Sequence, residues 1–375
     1  KFETARNNGV NIAFFSGNTL HWKTRWEDNF QTLVCYKEGT QGIYSCGSKC
    51  DPVTNVWTGL WRDGCLPAYG THDGCRPEGP FLAQMGWTES TGSIKVPDTY
   101  KNLRFWKNTS IAALGSGQTA TLPLGTLGAE WDQEQFVELL PARRIPLSFT
   151  TFTGLNHRMY LYRHDNSGAL VFSAGTMQWC WGLDDNHDNP SLPPSLAMQQ
   201  ATVNLLFDMG ATAETLQQFV VAPSASTDVL PPSTTIVNPI HTSTVPGSPI
   251  TISGTAADNG GGAVGGVEVS TDNGATWHRA SGLESWTYTF SPTGYGTIVV
   301  KARAWDDMFN LETPGSNGTP NNISITLVGP FTYSVFNSTY PTAEPSFFNV
   351  GAPGLELGMK FRSTIPGFIT GFRYY

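Results

Sequence analysis

One apolar stretch near the start of the chain constrains its fold more than any other feature. Residues 11–22 read Asn-Ile-Ala-Phe-Phe-Ser-Gly-Asn-Thr-Leu-His-Trp. The apolar half is typical of a buried strand, and Ser-Gly-Asn interrupts it where a loop should begin. His21, Trp22 and Arg25 then follow just past the carboxyl end of that strand, which is where ligands bind in open α/β sheets. The sequence therefore predicts a site at this edge of a sheet.

Composition and charge narrow the class of protein. The chain has 375 residues, enough for two or three domains, and only 14% of them are charged. With 40 Gly and 25 Pro, this composition favours a secreted protein of strands and loops. The net charge is −8 without a basic block, which argues against a nucleic-acid partner. No apolar run approaches the roughly 20 residues of a membrane-spanning helix. Because the chain opens on Lys1, we expect that its start has been removed or lies upstream.

The first 222 residues predict one α/β domain. An apolar run at 169–174 is typical of a buried central strand. The strongest helix signal follows, with Pro193 and Pro194 at its first turn and Gly210 at its end. Between these elements and the first strand, residues 39–100 form an excursion too rich in Gly and Pro for long regular structure.

The composition changes after a Pro-, Ser- and Thr-rich linker at 223–249. Residues 250–328 alternate polar and apolar at regular intervals, which predicts an immunoglobulin-like β-sandwich. Asn273-Gly274 is a strong hairpin signal. It lies inside the Asp-box pattern of residues 270–277, for which we expect a structural role. Residues 329–375 read as the start of a further β-rich module, so we expect more domains beyond it or self-assembly through its strands.

Four cysteines cluster in the excursion: Cys46, Cys50, Cys65 and Cys75. The first two have a spacing that zinc tolerates, but the last two are ten residues apart and form no second zinc knuckle. The loop-rich context favours two disulfides. Cys35 and Cys180 lie in or beside strand-like sequence, which predicts buried apolar thiols. Four sequons permit a glycoprotein, at Asn108, Asn317, Asn322 and Asn337.

Three polar groups are expected to meet at the carboxyl edge of the sheet. They are His21 with Arg25, Glu130 with Asp132, and the acidic stretch that contains Asp184 and His187. Histidine and carboxylates in one cleft suit metal ligation or general acid–base chemistry. The alternative is that His21 is a hydrogen-bonded loop residue and Glu130 caps a helix.

The tryptophans also permit two interpretations. They could form an aromatic platform for a glycan. They could also lie in the core, which is favoured because Trp is usually buried where its N–H finds a partner. The residues concerned are Trp22, Trp26, Trp57, Trp61, Trp106, Trp179 and Trp181. The candidate substrate-binding residues are Trp22, Arg25, Trp61, Arg62 and Trp181.

Several motifs in the first 222 residues resemble the α/β domain of the N,N-dimethylformamidase large subunit. The motifs are residues 14–22, Thr-Gly-Leu-Trp-Arg at 58–62, Gly-Thr-Leu-Gly-Ala-Glu-Trp-Asp at 125–132, and the strand–helix unit at 170–210. That family is related to the class I glutamine-amidotransferase fold. The resemblance implies a flavodoxin- or amidotransferase-like three-layer α/β domain.

The resemblance also implies a chemistry. The family enzyme hydrolyses an amide C–N bond at an iron held by tyrosines and a carboxylate. Its Gly-Asn-x-x-Tyr-Trp ligand motif aligns with residues 17–22 and places His21 where tyrosine is expected. The carboxylate maps to Glu130, and a second tyrosine would lie upstream of Lys1. The inherited site is therefore altered at one ligand and lacks another.

These observations favour an extracellular or cell-surface multidomain protein, a structural or binding component with a degenerate hydrolase-like domain. The alternative is a secreted iron-dependent amide hydrolase. In that case His21 and Glu130 bind the metal, and Asp184 or His187 moves protons.

Overall fold

The computed structural model describes residues 1–37, 50–53, 56, 58–62, 76–86, 88–188, 192–239, 242–244, 247–315 and 320–328. These ranges form a mixed-sheet part and a β-sandwich. The further module predicted at 329–375 lies outside the described residues. Within the described ranges, no helix combines the length and apolar character needed to cross a membrane.

The first part is built from short elements. Its helices are Phe2–Asn7 (α1), Gly79–Leu82 (α2) and Leu196–Asp208 (α3). Its strands are Ile12–Phe14 (β1), Arg25–Glu27 (β2), Thr32–Val34 (β3), Thr88–Glu89 (β4), Lys95–Pro97 (β5), Thr119–Thr121 (β6), Glu130–Trp131 (β7), Arg144–Pro146 (β8), Thr150–Phe152 (β9), Leu155–His157 (β10), Tyr160–Arg163 (β11) and Leu170–Ser173 (β12). The central sheet has the order β1-β12-β11-β8, and the other strands pair as two-stranded ribbons.

The predicted flavodoxin- or amidotransferase-like three-layer α/β fold is wrong. β1 pairs with β12 in parallel, but β11 is antiparallel to both β12 and β8. A three-layer fold needs a parallel sheet whose helical crossovers cover both faces. Among the described residues, α3 is the only helix longer than two turns. The Gly- and Pro-rich chain between β1 and β8 forms ribbons and 3₁₀ turns instead, so the described structure is mostly β.

Several local predictions in this part are confirmed. The apolar run at 169–174 contains β12, which is buried along its whole length. Ser195 caps α3 by accepting a hydrogen bond from the Met198 N–H. Gly210, just past the end of α3, has a φ of 87°. Trp106 and Trp179 are fully buried, as the core interpretation predicts.

The sandwich contains the strands Ser233–Asn238 (β13), Thr242–Thr244 (β14), Ile250–Ala257 (β15), Val264–Ser270 (β16), His278–Arg279 (β17), Ser281–Gly282 (β18), Ser285–Phe290 (β19), Gly296–Asp306 (β20) and Asn322–Leu327 (β21). Its sheets have the orders β13-β15-β19-β18 and β14-β21-β20-β16-β17. Burial alternates along β15 and β21, which is the period of two that the sequence shows. The immunoglobulin-like sandwich is therefore confirmed, and β13 and β14 come from the stretch predicted as a linker.

The Asp-box closes the hairpin between β16 and β17. Asn273 and Gly274 have φ angles of 62° and 100°. The Asp272 Oδ1 atom accepts hydrogen bonds from the Ser270 hydroxyl at 2.7 Å and the Thr276 N–H at 2.8 Å. The Trp277 indole donates to the Gly274 carbonyl at 3.1 Å. These bonds are internal to the turn, which confirms the predicted structural role.

The two parts share one apolar core and contact each other through polar groups. Ile145 of β8 belongs to the same buried cluster as Val267 of β16 and Trp305 of β20. The Arg104 N–H donates to the Asp307 Oδ2 atom at 2.6 Å. The sandwich therefore packs directly on the first part.

Candidate functional site

The predicted site begins in the loop after β1, at Gly17. A Cβ atom here would lie 2.9 Å from the carbonyl oxygen of Glu130 and 3.0 Å from the Cα atom of Thr176. These are backbone atoms, so only glycine allows this approach. Asn18 and Leu20 follow with φ angles of 51° and 57°. The loop therefore turns sharply against β7.

Asn18 joins this loop to two carboxylates. Its backbone N–H donates to Asp132 Oδ1 at 3.0 Å, and its side-chain amide donates to Glu130 Oε2 at 2.8 Å. Glu130 lies in β7 and Asp132 directly follows it. The structure thus brings the loop after β1 together with the predicted Glu130–Asp132 pair.

His21 lies at the other end of the same loop and is 5% exposed. Its neighbour Trp22 forms a β-bridge with Leu60, which places residue 62 beside the imidazole. The Arg62 Nη2 atom lies 2.7 Å from His21 Nδ1 and also pairs with the Glu78 carboxylate. A guanidinium can only donate, so Nδ1 must accept, and the proton of the neutral ring is on Nε2.

The electrostatics of these groups follow from burial. Burial, with the Arg62 cation second, lowers the pKa of His21 to about 3. Burial raises the pKa of Asp132 to about 7, and the charges of Glu78 and Glu130 raise it further while the Asn18 N–H opposes the shift. The ring is therefore neutral at pH 7, and Asp132 titrates close to neutrality. We call His21, Arg62, Glu78, Glu130 and Asp132 the polar cluster.

The polar cluster does not fit the iron that the family resemblance implies. The Nδ1 lone pair of His21 faces a guanidinium, and a cation next to Arg62 would be repelled by it. Glu130 Oε2 accepts from the Asn18 amide. Within the described ranges, His21 and Glu130 belong to no group of three His, Cys, Asp or Glu side chains whose ligand atoms lie within 4.8 Å of one another. At the family's ligand positions, His21 Nδ1 and Glu130 Oε2 are therefore engaged in contacts within the protein.

The predicted proton carriers lie after β12. Asp184 is exposed, and its Oδ1 atom accepts from the Asn186 N–H at 2.9 Å. His187 stacks on Trp181 with ring centroids 4.8 Å apart and planes 5° from parallel. These contacts are local to one turn. Proton transfer by Asp184 and His187 stays a prediction, as does substrate binding by Trp181.

The predicted substrate-binding Arg25 is held by two carboxylates. Its guanidinium binds both oxygens of Asp51, at 2.7 and 2.9 Å, and Glu27 at 2.8 Å. A bidentate pair of this kind fixes the arginine in place. Any ligand would have to compete with Asp51 for the same donors.

The two other predicted binding residues are half-buried tryptophans with cationic neighbours. The Trp61 ring has the Lys23 ammonium 5.7 Å and the Arg76 guanidinium 5.6 Å from its centroid. The Trp22 ring has the Lys37 ammonium 5.5 Å from its centroid and meets the neutral His21 imidazole edge-on at 4.9 Å. Trp57, also considered for a platform, lies outside the described residues.

The cysteine predictions have mixed outcomes. Cys35 and Cys180 are exposed free thiols, so the prediction of buried apolar thiols is wrong. Cys35 follows β3 of a solvent-facing ribbon, and Cys180 lies on the outer side of a 3₁₀ turn whose inner residue is Trp179. Cys46, Cys65 and Cys75 lie outside the described residues, and the two disulfides expected among these cysteines and Cys50 stay a prediction.

A second candidate site lies between the two parts of the molecule and was not predicted. It is a cleft of about 440 Å³, which we call the interdomain cleft. Tyr100, Glu134, Arg144, Arg158 and Tyr160 line it from the first part, and residues 279–285 line it from the sandwich. Its volume is within the usual range for small-molecule sites.

The arginines of the interdomain cleft differ in whether they form an ion pair with a carboxylate. Arg158 pairs with Glu134 at 2.9 Å. The Nη1 atom of Arg144 donates to a backbone carbonyl, and the Nε atom of this side chain is buried without a hydrogen-bond partner. The Nη1 atom of Arg279 donates to the Arg144 carbonyl at 2.5 Å. In the part of the chain that the structure describes, neither Arg144 nor Arg279 forms an ion pair.

This local excess of positive charge affects Arg279 itself. Burial, and to a smaller extent the charge of Arg144, lowers the pKa of Arg279 to about 10. The two guanidinium groups belong to β8 and β17, 135 residues apart in sequence. No spacing in the sequence therefore indicates that Arg144 and Arg279 meet. The arginine that begins the apolar Arg-Ile-Pro strand is nevertheless a signal of a buried charge.

Comparison with known proteins identifies both parts. The model for N,N-dimethylformamidase beta subunit-like, C-terminal domains matches residues 1–190, and the model for a bacterial Ig domain matches residues 232–307. No curated protein matches the chain. The dimethylformamidase resemblance is thus confirmed at family level, without support for an amidotransferase relationship.

Two solved structures share limited similarity with the chain. The PKD domain of an M14-like peptidase from Thermoplasmatales archaeon SCGC AB-540-F20 is 16% identical, with a TM-score of 0.20, over 28% of this chain and 98% of its own. An engineered protein is 17% identical, with a TM-score of 0.18, over 44% of this chain and 33% of its own.

Proposed function

The chain belongs to the N,N-dimethylformamidase beta subunit-like, C-terminal family, and we propose that it is a binding component of an extracellular multidomain protein. In this proposal the family domain is a scaffold without amide-hydrolase activity. The ligand is a small anionic saccharide, and it binds in the interdomain cleft. Low charge, many strands and the appended bacterial Ig domain support the extracellular location.

The observation that carries the proposal is that Arg144 and Arg279 line one cleft and, among the described residues, neither forms an ion pair. A buried cation that lacks a counter-charge is costly, and a bound anion removes that cost. Guanidinium groups bind carboxylates and phosphates through paired N–H donors. The cleft is therefore suited to a negatively charged ligand.

The size and the rim of the cleft favour a sugar acid over a single small ion. A volume of about 440 Å³ exceeds what an isolated oxyanion fills. Exposed Ser281, Glu284 and Ser285 at the rim can hydrogen-bond with hydroxyl groups. A hexuronate carries both a carboxylate for the arginines and hydroxyls for this rim.

The polar cluster supports the loss of hydrolysis. Its histidine nitrogen is bonded to Arg62, where an iron ligand would need a free lone pair. Asn18 donates to Glu130, and Arg62 contacts both His21 and Glu78, at the edge where the family site would lie.

Calorimetric titration with glucuronate tests the binding role, with glucose as the neutral control. We expect glucuronate to bind the wild type about tenfold or more tightly than glucose, because the charge contacts are worth more than about 1.4 kcal/mol. Arg279→Gln should lose this difference. Arg76→Gln, a change at an exposed arginine, should keep it. Sulfate and phosphate titrations separate a sugar-acid site from a general oxyanion site. Equal affinity for glucuronate and glucose, or unchanged binding by Arg279→Gln, would contradict the proposal.

An amide hydrolase is the second candidate function. It is favoured by Asp132, whose pKa of about 7 suits a general base at neutral pH. Release of dimethylamine from N,N-dimethylformamide by protein loaded with ferrous iron tests it. The leading proposal predicts no release above that of Asp132→Asn, whereas turnover that Asp132→Asn abolishes would favour the hydrolase.

A further inference from the structure

Three aspartates converge in the sandwich at its junction with the first part. Asp228 precedes β13, Asp258 follows β15, and Asp306 is the last residue of β20. One ligand atom of each lies within 4.8 Å of those of the other two. In the described ranges, none of the three takes part in an ion pair. Three carboxylates at this separation repel one another strongly.

Two of these carboxylates have oxygen atoms without a donor. Asp228 is only 8% exposed, and its Oδ2 atom is buried without a hydrogen-bond partner. The Oδ1 atom of Asp258 is also buried and lacks a partner. Buried carboxylate oxygens normally accept hydrogen bonds, so these two need a ligand to satisfy them.

The loop after Asp258 brings the Asp258 and Asp228 carboxylates close together. Asp258 Oδ2 accepts the N–H groups of Gly260 and Gly262, at 2.9 and 2.8 Å. A Cβ atom on Gly262 would lie 2.6 Å from Asp228 Oδ2, and one on Gly260 would meet Asp228 Oδ1. The glycines therefore let the loop lie directly on the Asp228 carboxylate.

Asp306 accepts more of the side-chain hydrogen bonds found in the described residues than Asp228 or Asp258 does. Its Oδ1 atom accepts the N–H groups of Met308 and Asn310, at 2.9 and 2.8 Å, and its Oδ2 atom accepts the Asn310 amide at 2.8 Å. The turn after β20 therefore holds this carboxylate in place and cannot neutralise the group.

We propose that Asp228, Asp258 and Asp306 bind one calcium ion. Calcium prefers carboxylate and carbonyl oxygens in flexible loop geometry, whereas soft thiolates and imidazoles are absent from this group. A divalent cation would satisfy the two oxygen atoms without donors and cancel the repulsion. Magnesium suits the site less, because it demands a near-ideal octahedron.

The ion would tie the sandwich to the first part. Asp307, next to Asp306, accepts the Arg104 N–H from the first part and the Ala263 N–H from the sandwich. Asp228 lies on the segment that joins the two parts. Calcium affinities of extracellular modules are about 10⁻⁴–10⁻³ M, so we expect the site to fill at millimolar calcium.

Thermal unfolding of the full chain after removal of metal by chelator tests the site. At calcium well above the expected affinity we expect the midpoint of unfolding to rise by about 5 °C, with a smaller rise in magnesium. Asp258→Asn, at the least buried member, should lose the rise and bind calcium at least about tenfold more weakly by equilibrium dialysis. Asp184→Asn, at an exposed aspartate outside the group, should keep both.

Two results would overturn the assignment. One is an unfolding midpoint of the wild type that is the same in calcium and in chelator. The other is a rise that Asp258→Asn and a second variant, Asp228→Asn, both retain. An equal rise in magnesium would overturn the choice of calcium. Dialysis is done at a temperature where the protein is folded. The calcium affinity of a variant with a lowered unfolding midpoint can therefore still be measured.

Discussion

The Nδ1 atom of His21 lies 2.7 Å from the Nη2 atom of Arg62, and the same Nη2 atom pairs with Glu78. This relationship fixes the tautomer of the imidazole and occupies the nitrogen that faces the polar cluster. In the proposed scaffold role, this contact would stabilise the polar edge of the family domain in place of a metal. The arrangement makes Arg62 the central residue of the cluster.

Arg62→Met should destabilise the chain strongly. It leaves the Glu78 carboxylate buried without its cation, which typically costs about 3–5 kcal/mol. The double variant Arg62→Met/Glu78→Gln should recover part of this loss, because it removes the stranded charge. Urea unfolding of the two single variants and the double variant measures the coupling. Arg76→Met, at an exposed ion pair, is the matched control and should cost at most about 1 kcal/mol. Additive losses for Arg62 and Glu78 would contradict the pairing.

Asp132→Asn should change how stability depends on pH. The folded state holds a proton on Asp132 up to a pKa of about 7, whereas the unfolded chain releases it near 3.8. The stabilising contribution of this carboxyl is present below pH 3.8 and is lost as the pH rises to 7. The wild type should therefore lose roughly 3–4 kcal/mol relative to Asp132→Asn between those limits. Unfolding free energies measured at intervals across this range check the slope, and parallel curves would count against a buried proton.

His157 should give the opposite slope. Burial lowers the pKa of this histidine from its ordinary value of 6.5 to about 4. Between pH 6.5 and 4 the unfolded chain binds a proton that the folded chain does not, so stability falls as the pH falls. Relative to His157→Gln, the wild type should lose roughly 3 kcal/mol over this range. The same unfolding series measures it, and a difference that stays constant with pH would show that the ring is already charged or exposed.

Gly17→Ala should disturb the predicted site through its backbone. The added Cβ would meet the Glu130 carbonyl and Thr176 Cα at about 3 Å, which forces the loop away from β7. Overpacking of this kind costs about 1–3 kcal/mol. Gly115→Ala is the control, because its Cβ would meet only the flexible Gln118 side chain. Equal stability of the two variants by thermal unfolding would mean that the loop does not approach β7 closely.

Much of the local structure could be predicted from the sequence, because it depends on short-range signals. β12 and α3 follow from an apolar run and from a capped helical period, and the sandwich strands follow from strict alternation. The three-layer fold that the family resemblance implied is wrong, and periodicity alone does not encode the strand direction that would have corrected it. The antiparallel pairing of β11 depends on contacts that no local pattern records.

The candidate sites likewise include one that local sequence signals predict and one that they do not. The sequence motifs placed His21 and Glu130 at the carboxyl edge of the predicted sheet, and the structure places both beside the loop after β1. Arg62, predicted to touch substrate, binds His21 and Glu78, and its contact with a substrate stays a prediction. The interdomain cleft could not be predicted, because Arg144 and Arg279 meet only when two separately folded sheets pack together.

Transition-metal content per chain tests the central claim most directly. Wild type and His21→Ala are purified without chelator, and iron and zinc are measured by plasma mass spectrometry against protein concentration. We expect far less than one iron or zinc ion per chain in both proteins, because the His21 nitrogen is occupied by Arg62. Iron or zinc close to one ion per chain in the wild type, lost in His21→Ala, would contradict the account and support the hydrolase.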